Sequence, residues 1–500
     1  MNKDLTKGKI YSTILRLAIP IAGGQIMQMT YNLLDMFWLG LLSGDALAAA
    51  GISGLFFWLS VGLMLIGRVG AEVGVSQSRG RGDMAAAYKY SRTAVYIAAV
   101  LGTVYGTLLA LLRTPLIGLF SFADAGIAAN AAAYTGIMAL GIPAVFVFSS
   151  ISGTFVASGN AKTPLFIGGG ALALNMVLTP LFVFTFGLGV AGAAVASVIS
   201  QYIGLGVGIF AVKRFKSRPF AEYKFFDFKK PELLENASES VSAHTNEFDN
   251  KPVVDSQNFI RRAKQRFAAI IYDIRYGTAH DIFKITIPIC LENTAFPLLT
   301  MITTGMEISF GDYIASISRV AIQMESLTWL VGAGFGAALT AFVGQNFGAG
   351  NHDRIATGVR YTTYSLITWG ICVSMFLWFG GDLVFRIFLH DYADYPQKHA
   401  LFITYMRMLA TIQIFANIEF VAANAFRGKG RTIPPSTVGI VSNVIRVPLA
   451  FVLMRTPLGI IGVWLAICIT AALRGIGSGI WYWLDSRRER ELLNRNDGEV

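Results

Sequence analysis

The sequence predicts an all-α integral membrane protein with about 12 transmembrane helices, set in two parallel six-helix lobes related by a pseudo-two-fold axis along the membrane normal. Three observations carry this. Of 500 residues, 54% are hydrophobic and only 14% are charged, where a soluble domain carries nearer a quarter charged residues. Apolar runs long enough to cross a hydrocarbon core of about 30 Å recur along the whole chain. The first half of the pattern also returns in the second half at a nearly constant shift.

The apolar spans fall near 13–40, 45–76, 84–112, 125–157, 164–186, 190–212, 281–306, 313–342, 355–379, 397–426, 434–455 and 459–484. An even number of crossings puts both termini on one side. The net charge of +11 does not indicate nucleic acid, because the cations sit in short connections between spans. Arg79, Arg81, Lys89 and Arg92 follow the second span, Arg354 and Arg360 the eighth, Arg427, Lys429 and Arg431 the tenth, and Arg487, Arg488 and Arg490 the twelfth. All lie on the side of the termini, which is therefore expected to be cytoplasmic, in a cell inner membrane. Cys290, Cys372 and Cys468 fall inside apolar segments without metal spacing, so disulfides are not expected.

The expected domains are a six-helix lobe over 1–212, a cytoplasmic linker over 213–280, a second six-helix lobe over 281–485 and a cytoplasmic tail over 486–500. The middle of the linker is polar, without a continuous apolar face, and reads as disordered. Near 258–276, Ile260, Ala263, Phe267, Ile270, Ile271 and Ile274 recur at helical spacing while Arg261, Arg262, Lys264 and Arg266 face elsewhere. That is a basic amphipathic helix suited to an inner membrane surface. The lobes repeat. Pro20 maps to Pro288, Gln77, Gly80 and Gly82 map to Gln345, Gly348 and Gly350, and Asn175 and Pro180 map to Asn443 and Pro448, each shifted by 268 residues.

Polar residues inside the spans are the site candidates, since lipid tolerates them badly. Gln25, Gln28, Asn32 and Asp35 recur at intervals of three, four and three on helix 1, which lines them along one face of an apolar helix. Such a face belongs against a helix interface or a wet cavity. Asp35 lies roughly 33 Å along that helix, in the outer half of the membrane. Its ionisation there depends on solvation and on any neighbouring cation, which suits an ion-coupling site, although an aspartate at a helix end could also simply reach outer water. Asn175 and Thr179 are one turn apart and can face one point. Glu292, Glu325 and Arg446 each sit roughly 17–18 Å deep, so a mutual ion-paired network near the midplane is expected. Arg68 and Glu72, one turn apart, can neutralise each other and snorkel, or line a pathway. Pro20 and Pro288 near the starts of helices 1 and 7 can be bends for gating or tolerated first-turn prolines. The glycines in VSQSRGRGD and VGQNFGAGN read as turns.

YNLLDMFWLG at 31–40, VSQSRGRGD at 75–83, GNAKTP at 159–164, LNMVLTPLFVF at 174–184, GVAGAAVASVISQ at 189–201 and FVGQNFGAGN at 342–351 together resemble the multidrug and toxic compound extrusion (MATE) family, prokaryotic type. The resemblance covers both halves but not the linker or tails. It implies a two-lobed bundle that alternates between inward-open and outward-open shapes and exports amphipathic, usually cationic compounds against H⁺ or Na⁺ entry. It also implies that Asp35 centres a cation site with Tyr134, Asn175 and Ser197, where Na⁺ is a candidate occupant. Many relatives carry an aspartate where this chain has Thr179, so the site charge is lower here. Glu292 and Glu325 match glutamates that recur in one bacterial branch.

The expected function is therefore a cation-coupled secondary antiporter for a small-molecule substrate, working as a monomer in membrane lipid without cofactor, nucleotide or nucleic acid. The alternative is a flippase for a lipid-linked saccharide or another amphipathic anion on the same fold, for which Arg68, Arg407, Arg446 and Arg474 supply cations. No phosphate-loop motif is present, which argues against a primary pump. His244, His280, His352, His390 and His399 lie in connections or at span ends, which argues against an in-membrane metalloenzyme. Asp35 has no acidic counterpart at Thr303, which argues against a ring-type channel filter.

Overall fold

The computed structural model describes residues 4–120, 125–213, 277–389 and 395–497, all of whose regular structure is helical. The expected linker and its amphipathic helix near 258–276 lie almost wholly outside the described residues. The first lobe comprises α1 (Ile10–Leu42), α2 (Gly44–Gly80), α3 (Met84–Ile117), α4 (Ala125–Ala139), α5 (Ile142–Ala157), α6 (Lys162–Pro180) and α7 (Gly189–Lys213). The second comprises α8 (Thr278–Ile308), α9 (Asp312–Gly348), α10 (His352–Phe379), the short α11 (Gly381–Phe388), α12 (Pro396–Gly428), α13 (Ile433–Leu453) and α14 (Ile460–Asp497). Among the described residues, 11 helices are long and apolar enough to cross a membrane, or 12 when α4 and α5 count as one bent span. This is a multi-pass membrane protein.

Local chemistry sets the helix boundaries. The Ser43 hydroxyl accepts from the Ala46 N–H at 3.0 Å and starts α2 after a one-residue connection. Asp83 accepts from the Ala86 N–H at 2.9 Å and starts α3; such caps satisfy amide groups that the helix leaves unpaired. Gly82 and Gly350 have φ of 78° and 73°, so the two repeated glycine motifs are left-handed turns that end α2 and α9. The predicted fourth span is broken by 44° between Gly126–Ala139 and Ile142–Ala157. Pro143 in the first turn of α5 cannot donate to the preceding turn, so the ladder stops there. Side chains on the outer faces stay uncovered: Phe166 is 73% exposed and Phe379 75%, as a lipid-facing surface requires.

The repeat survives into the structure. Helices start at residues 10, 44 and 84 in the first lobe and at 278, 312 and 352 in the second, the same 268-residue shift read from the sequence. The lobes meet where both termini lie. There Gln77 Nε2 donates to the Gly428 carbonyl at 2.9 Å, and Gln345 Nε2 donates to the Ala157 carbonyl at 2.7 Å. A Cβ added to Gly80 would stand 2.0 Å from the Gln345 carbonyl oxygen, and one added to Gly348 would stand 2.1 Å from that of Gln77. Each repeat's glycine thus receives the other repeat's glutamine backbone. A reciprocal contact of this kind is what a two-fold axis produces. An apolar cluster seals the same end, with Leu17, Val156 and Ala161 from one lobe against Leu339, Phe342 and Ile355 from the other.

Gly80→Ala and Gly348→Ala should each force the backbones of α2 and α9 apart, costing roughly 1–3 kcal/mol. A lowered midpoint of thermal unfolding in detergent checks this, and an unchanged midpoint for both variants would show that the crossing does not hold the lobes.

Candidate functional site

The first polar cluster lies inside the first lobe, where α1, α4, α6 and α7 converge. The Tyr134 hydroxyl donates to Asp35 Oδ2 at 3.4 Å, and Asp35 Oδ1 is buried without a partner. One turn earlier on α1, Tyr31 shares a hydrogen bond of 2.8 Å with the Ser197 hydroxyl. Asn175 Nδ2 donates to that same Ser197 oxygen at 3.1 Å, and the Thr179 hydroxyl donates to Asn175 Oδ1 at 3.2 Å. Asn175, Thr179, Ser197 and Tyr134 are buried and Asp35 is partly buried. The arrangement is one carboxylate, one phenol and a separate chain of hydroxyl and amide groups closed by Tyr31. Chemically it offers oxygen ligands to a hard cation, or a carboxylate that can take a proton while a phenol holds it.

The polar face of α1 does not stay on one side. Between Gln25 and Asp35 a regular helix turns through about −80° net and advances roughly 15 Å. Accordingly, Gln28 Nε2 donates to Asn32 Oδ1 at 3.3 Å on an accessible face, Asp35 turns into the first lobe, and Gln25 lines a chamber belonging mainly to the second.

That chamber has a volume of about 400 Å³ and is bounded by α8, α9, α12, α13 and α14. Its lining includes Glu292, Glu419, Arg427 and Arg474, with Phe296, Trp329 and Phe420 along the wall. Arg474 Nε ion-pairs with Glu419 Oε2 at 2.7 Å, and the Arg474 guanidinium stands 5.8 Å over the Trp329 ring. Glu292 and Arg427 form no ion pair within 4.0 Å among the described residues, although Glu72 and Glu419 lie in electrostatic reach of Arg427. Glu292 Oε2 and Arg427 Nε are buried and lack hydrogen-bond partners.

The charged residues expected to pair near the midplane are arranged differently. Among the described residues, no ion pair within 4.0 Å joins Glu292, Glu325 and Arg446. Arg446 Nε instead donates to the Thr470 hydroxyl at 3.0 Å, and Glu325 lies beside the Trp329 indole with Arg446 and Arg474 in electrostatic reach. Thr470 takes the Nε of Arg446, and the direct ion pair of this region forms instead between Glu419 and Arg474. Glu419 is an intramembrane carboxylate and was open to the argument that selected the other two. Glu307, buried near Ser318 and Trp464, was open to the same argument. Tyr31 carried no such signal, since an aromatic residue on an apolar helix usually packs. Arg68 and Glu72 form no pair within 4.0 Å either; Glu72 is buried with Oε1 unpartnered, and Arg427 approaches it from the other lobe. Pro20 and Pro288 lie inside α1 and α8, which run unbroken past them.

The MatE family model matches residues 20–181 and 288–452, the two repeats without the linker. A relative named "Probable multidrug resistance protein NorM" from Thermotoga maritima is 22% identical over 97% of this chain and 95% of its own length. One from Bacillus subtilis, "Probable multidrug resistance protein YpnP", is 25% identical over 95% and 93%. Among solved structures, a MATE crystal structure in the bent conformation superposes with a TM-score of 0.80 at 20% identity, covering 98% of each chain. A MOP superfamily transporter from Pyrococcus furiosus gives 0.77 at 21%, covering 97% of each.

Glu419→Gln should leave the buried Arg474 charge without its direct partner, a loss of about 3–5 kcal/mol. The further change Arg474→Met should recover most of it. Thermal unfolding of the single and double variants checks this, and purely additive losses would argue against the pair.

Proposed function

The chain belongs to the MatE family, and from that premise we propose that it is a cation-coupled antiporter exporting amphipathic organic compounds that carry a cationic group. The family's members are transporters and not enzymes, they are ion-coupled, and their substrates are small molecules. The finer reading rests on one observation above all: Asp35 is held by Tyr134 on one oxygen while its other oxygen is buried without a partner.

In this reading H⁺ or Na⁺ occupies that carboxylate in one shape and leaves it in the other. The buried chain of Tyr31, Ser197, Asn175 and Thr179 forms the remaining wall of the ion site. Thr179 lends a hydroxyl where many relatives lend a second carboxylate, so Asp35 is the one carboxylate among the described residues of the cluster. The substrate takes the chamber of the second lobe, whose wider charged network includes Glu292, Glu325 and Arg446 together with Glu419 and Arg474. Gln25, Gln28, Asn32, Arg68 and Glu72 border the route between the two sites. The lobes rock about the seam at the terminal end, which is cytoplasmic, and Pro20 and Pro288 supply bends for that motion. The names of the relatives support multidrug export as the physiological role. The linker over 213–280 lies on the cytoplasmic side in this topology, in a cell inner membrane.

An ion site must bind and release within one cycle, and a ligand shifts an equilibrium only by its differential affinity for the two shapes. Asp35→Asn keeps size and hydrogen bonding but cannot ionise. It should leave expression and substrate binding near wild type and reduce gradient-driven transport in proteoliposomes at least about a hundredfold, since most of the coupling free energy is lost. Transport at the wild-type rate under the same H⁺ or Na⁺ gradient would transfer the coupling role to the second-lobe carboxylates.

A further inference from the structure

Residues 4–9, just before α1, are not helical, yet Leu5 among them is only 1% exposed. Local chemistry turns the chain here. The Thr6 N–H donates to Asp4 Oδ1 at 2.9 Å, the Thr6 hydroxyl donates to the same oxygen, and Gly8 takes a left-handed φ of 79°.

The other lobe then grips the backbone of this segment. The Leu5 N–H donates to Gln345 Oε1 at 2.9 Å, and Asn346 Nδ2 donates to the Leu5 carbonyl at 3.2 Å. Arg354, on α10, donates to the Gly8 carbonyl from both terminal nitrogens at 3.2 Å, and from one of them to the Leu5 carbonyl at 3.5 Å. Arg354 Nε also donates to Asn346 Oδ1 at 3.2 Å, which orients that amide. The Leu5 side chain joins the apolar cluster that holds Val156 and Ala161 of the first lobe and Leu339, Phe342 and Ile355 of the second. Asp4 lies in electrostatic reach of Arg79 near the end of α2, whose Nε and Nη1 are buried without hydrogen-bond partners.

By covalent connection the segment belongs to the first lobe, and by its hydrogen bonds to the second. Gln345 tightens the link, because its Oε1 holds Leu5 while its Nε2 holds Ala157 of the first lobe. There is little slack. Gly8 stands two residues before Ile10, where α1 starts, a reach of roughly 7 Å at full extension. A wider parting of the lobes at this end must pull the segment off α9 and α10. That release uncovers a buried leucine and breaks hydrogen bonds to a guanidinium, both of which cost free energy.

We propose that residues 4–9 are a strap that locks the closed seam, seated on α9 and α10 while the lobes are together and released when they part. Its seating sets how much free energy an ion or a substrate must supply to open that end. The inference rests on the reading that the lobes rock about this seam.

Spin labels in nanodiscs test it, on the full-length protein with Cys290, Cys372 and Cys468 replaced. Lys7 on the strap, Lys89 on α3 and Asp353 on α10 are exposed. Labelled cysteines at Lys7 and Asp353 report strap seating, and labels at Lys89 and Asp353 report the separation of the lobes. In the otherwise native protein the long-distance populations of both pairs should rise and fall together as pH or Na⁺ is varied. Arg354→Gln should raise the ratio of open to closed lobes about tenfold, as expected for losing hydrogen bonds from a charged group. Arg354→Lys keeps the charge without the fork and should raise it less, and Leu5→Ala should shift it in the same direction as Arg354→Gln. An unchanged lobe ratio in both Arg354→Gln and Leu5→Ala overturns the proposal. So does a strap that stays seated while the native lobes open, in which case the rocking reading stands. The native pairs decide this even if a variant does not fold. Lobes that hold one distance in the native protein under every ionic condition, yet open in Arg354→Gln, would sink the rocking reading and keep the lock.

Discussion

The rest of the structure depends on the close crossing of α2 and α9. Two long helices can approach backbone to backbone only where no side chain intervenes, and Gly80 and Gly348 supply that condition on each partner in turn. The carbonyls that fill the space belong to Gln345 and Gln77, whose side chains reach across to Ala157 and Gly428. Backbone contact and side-chain hydrogen bonds are therefore fixed by the same residues. Beside the crossing, Gly344 faces Ser76 at a distance that admits no Cβ. With the lobes held together at one end, the polar clusters lie beyond the seam, each buried in its own lobe.

The two lobes share a backbone plan but not a chemistry. In the first, a single carboxylate stands among phenol, hydroxyl and amide groups, with no cation among the described residues of the cluster. In the second, acids and guanidiniums are mixed, one pair is satisfied internally, and Asn443, the repeat counterpart of Asn175, lines the chamber. Duplication of a six-helix unit leaves two interior sites, and one can keep a simple ion-binding character while the other diversifies for a larger guest.

Much of the fold was legible in the sequence because lipid imposes a severe rule: backbone polar groups must be satisfied within helices, and apolar runs mark them. The register shift of 268 residues fixed where helices restart, and the structure places those starts accordingly. The break in the fourth span escaped, because Pro143 is embedded in a run whose hydropathy never falters. Helical periodicity located Asp35 but not its inward turn, since spacing of three, four and three winds around the helix. In the second lobe, depth along each helix singled out Glu292, Glu325 and Arg446, yet depth carries no angular information. Which guanidinium meets which carboxylate depends on rotation of α12, α13 and α14 about their axes. That is set by packing such as the stacked Tyr405 and Trp464 rings, 4.3 Å between centroids.

The central claim is that occupancy of Asp35 biases the lobes about the α2–α9 seam. Arg81 and Ala349 are equivalent positions in the repeat, both exposed in the turns that follow these helices. Spin labels on cysteines at these two positions, with Cys290, Cys372 and Cys468 replaced, report the seam directly in nanodiscs. The account predicts two distance populations, a short one matching the closed seam and a longer one. Their ratio should shift with pH or Na⁺ in the otherwise native protein and stay fixed in Asp35→Asn. One unchanging distance under every ionic condition, or the same shift in Asp35→Asn, would contradict it.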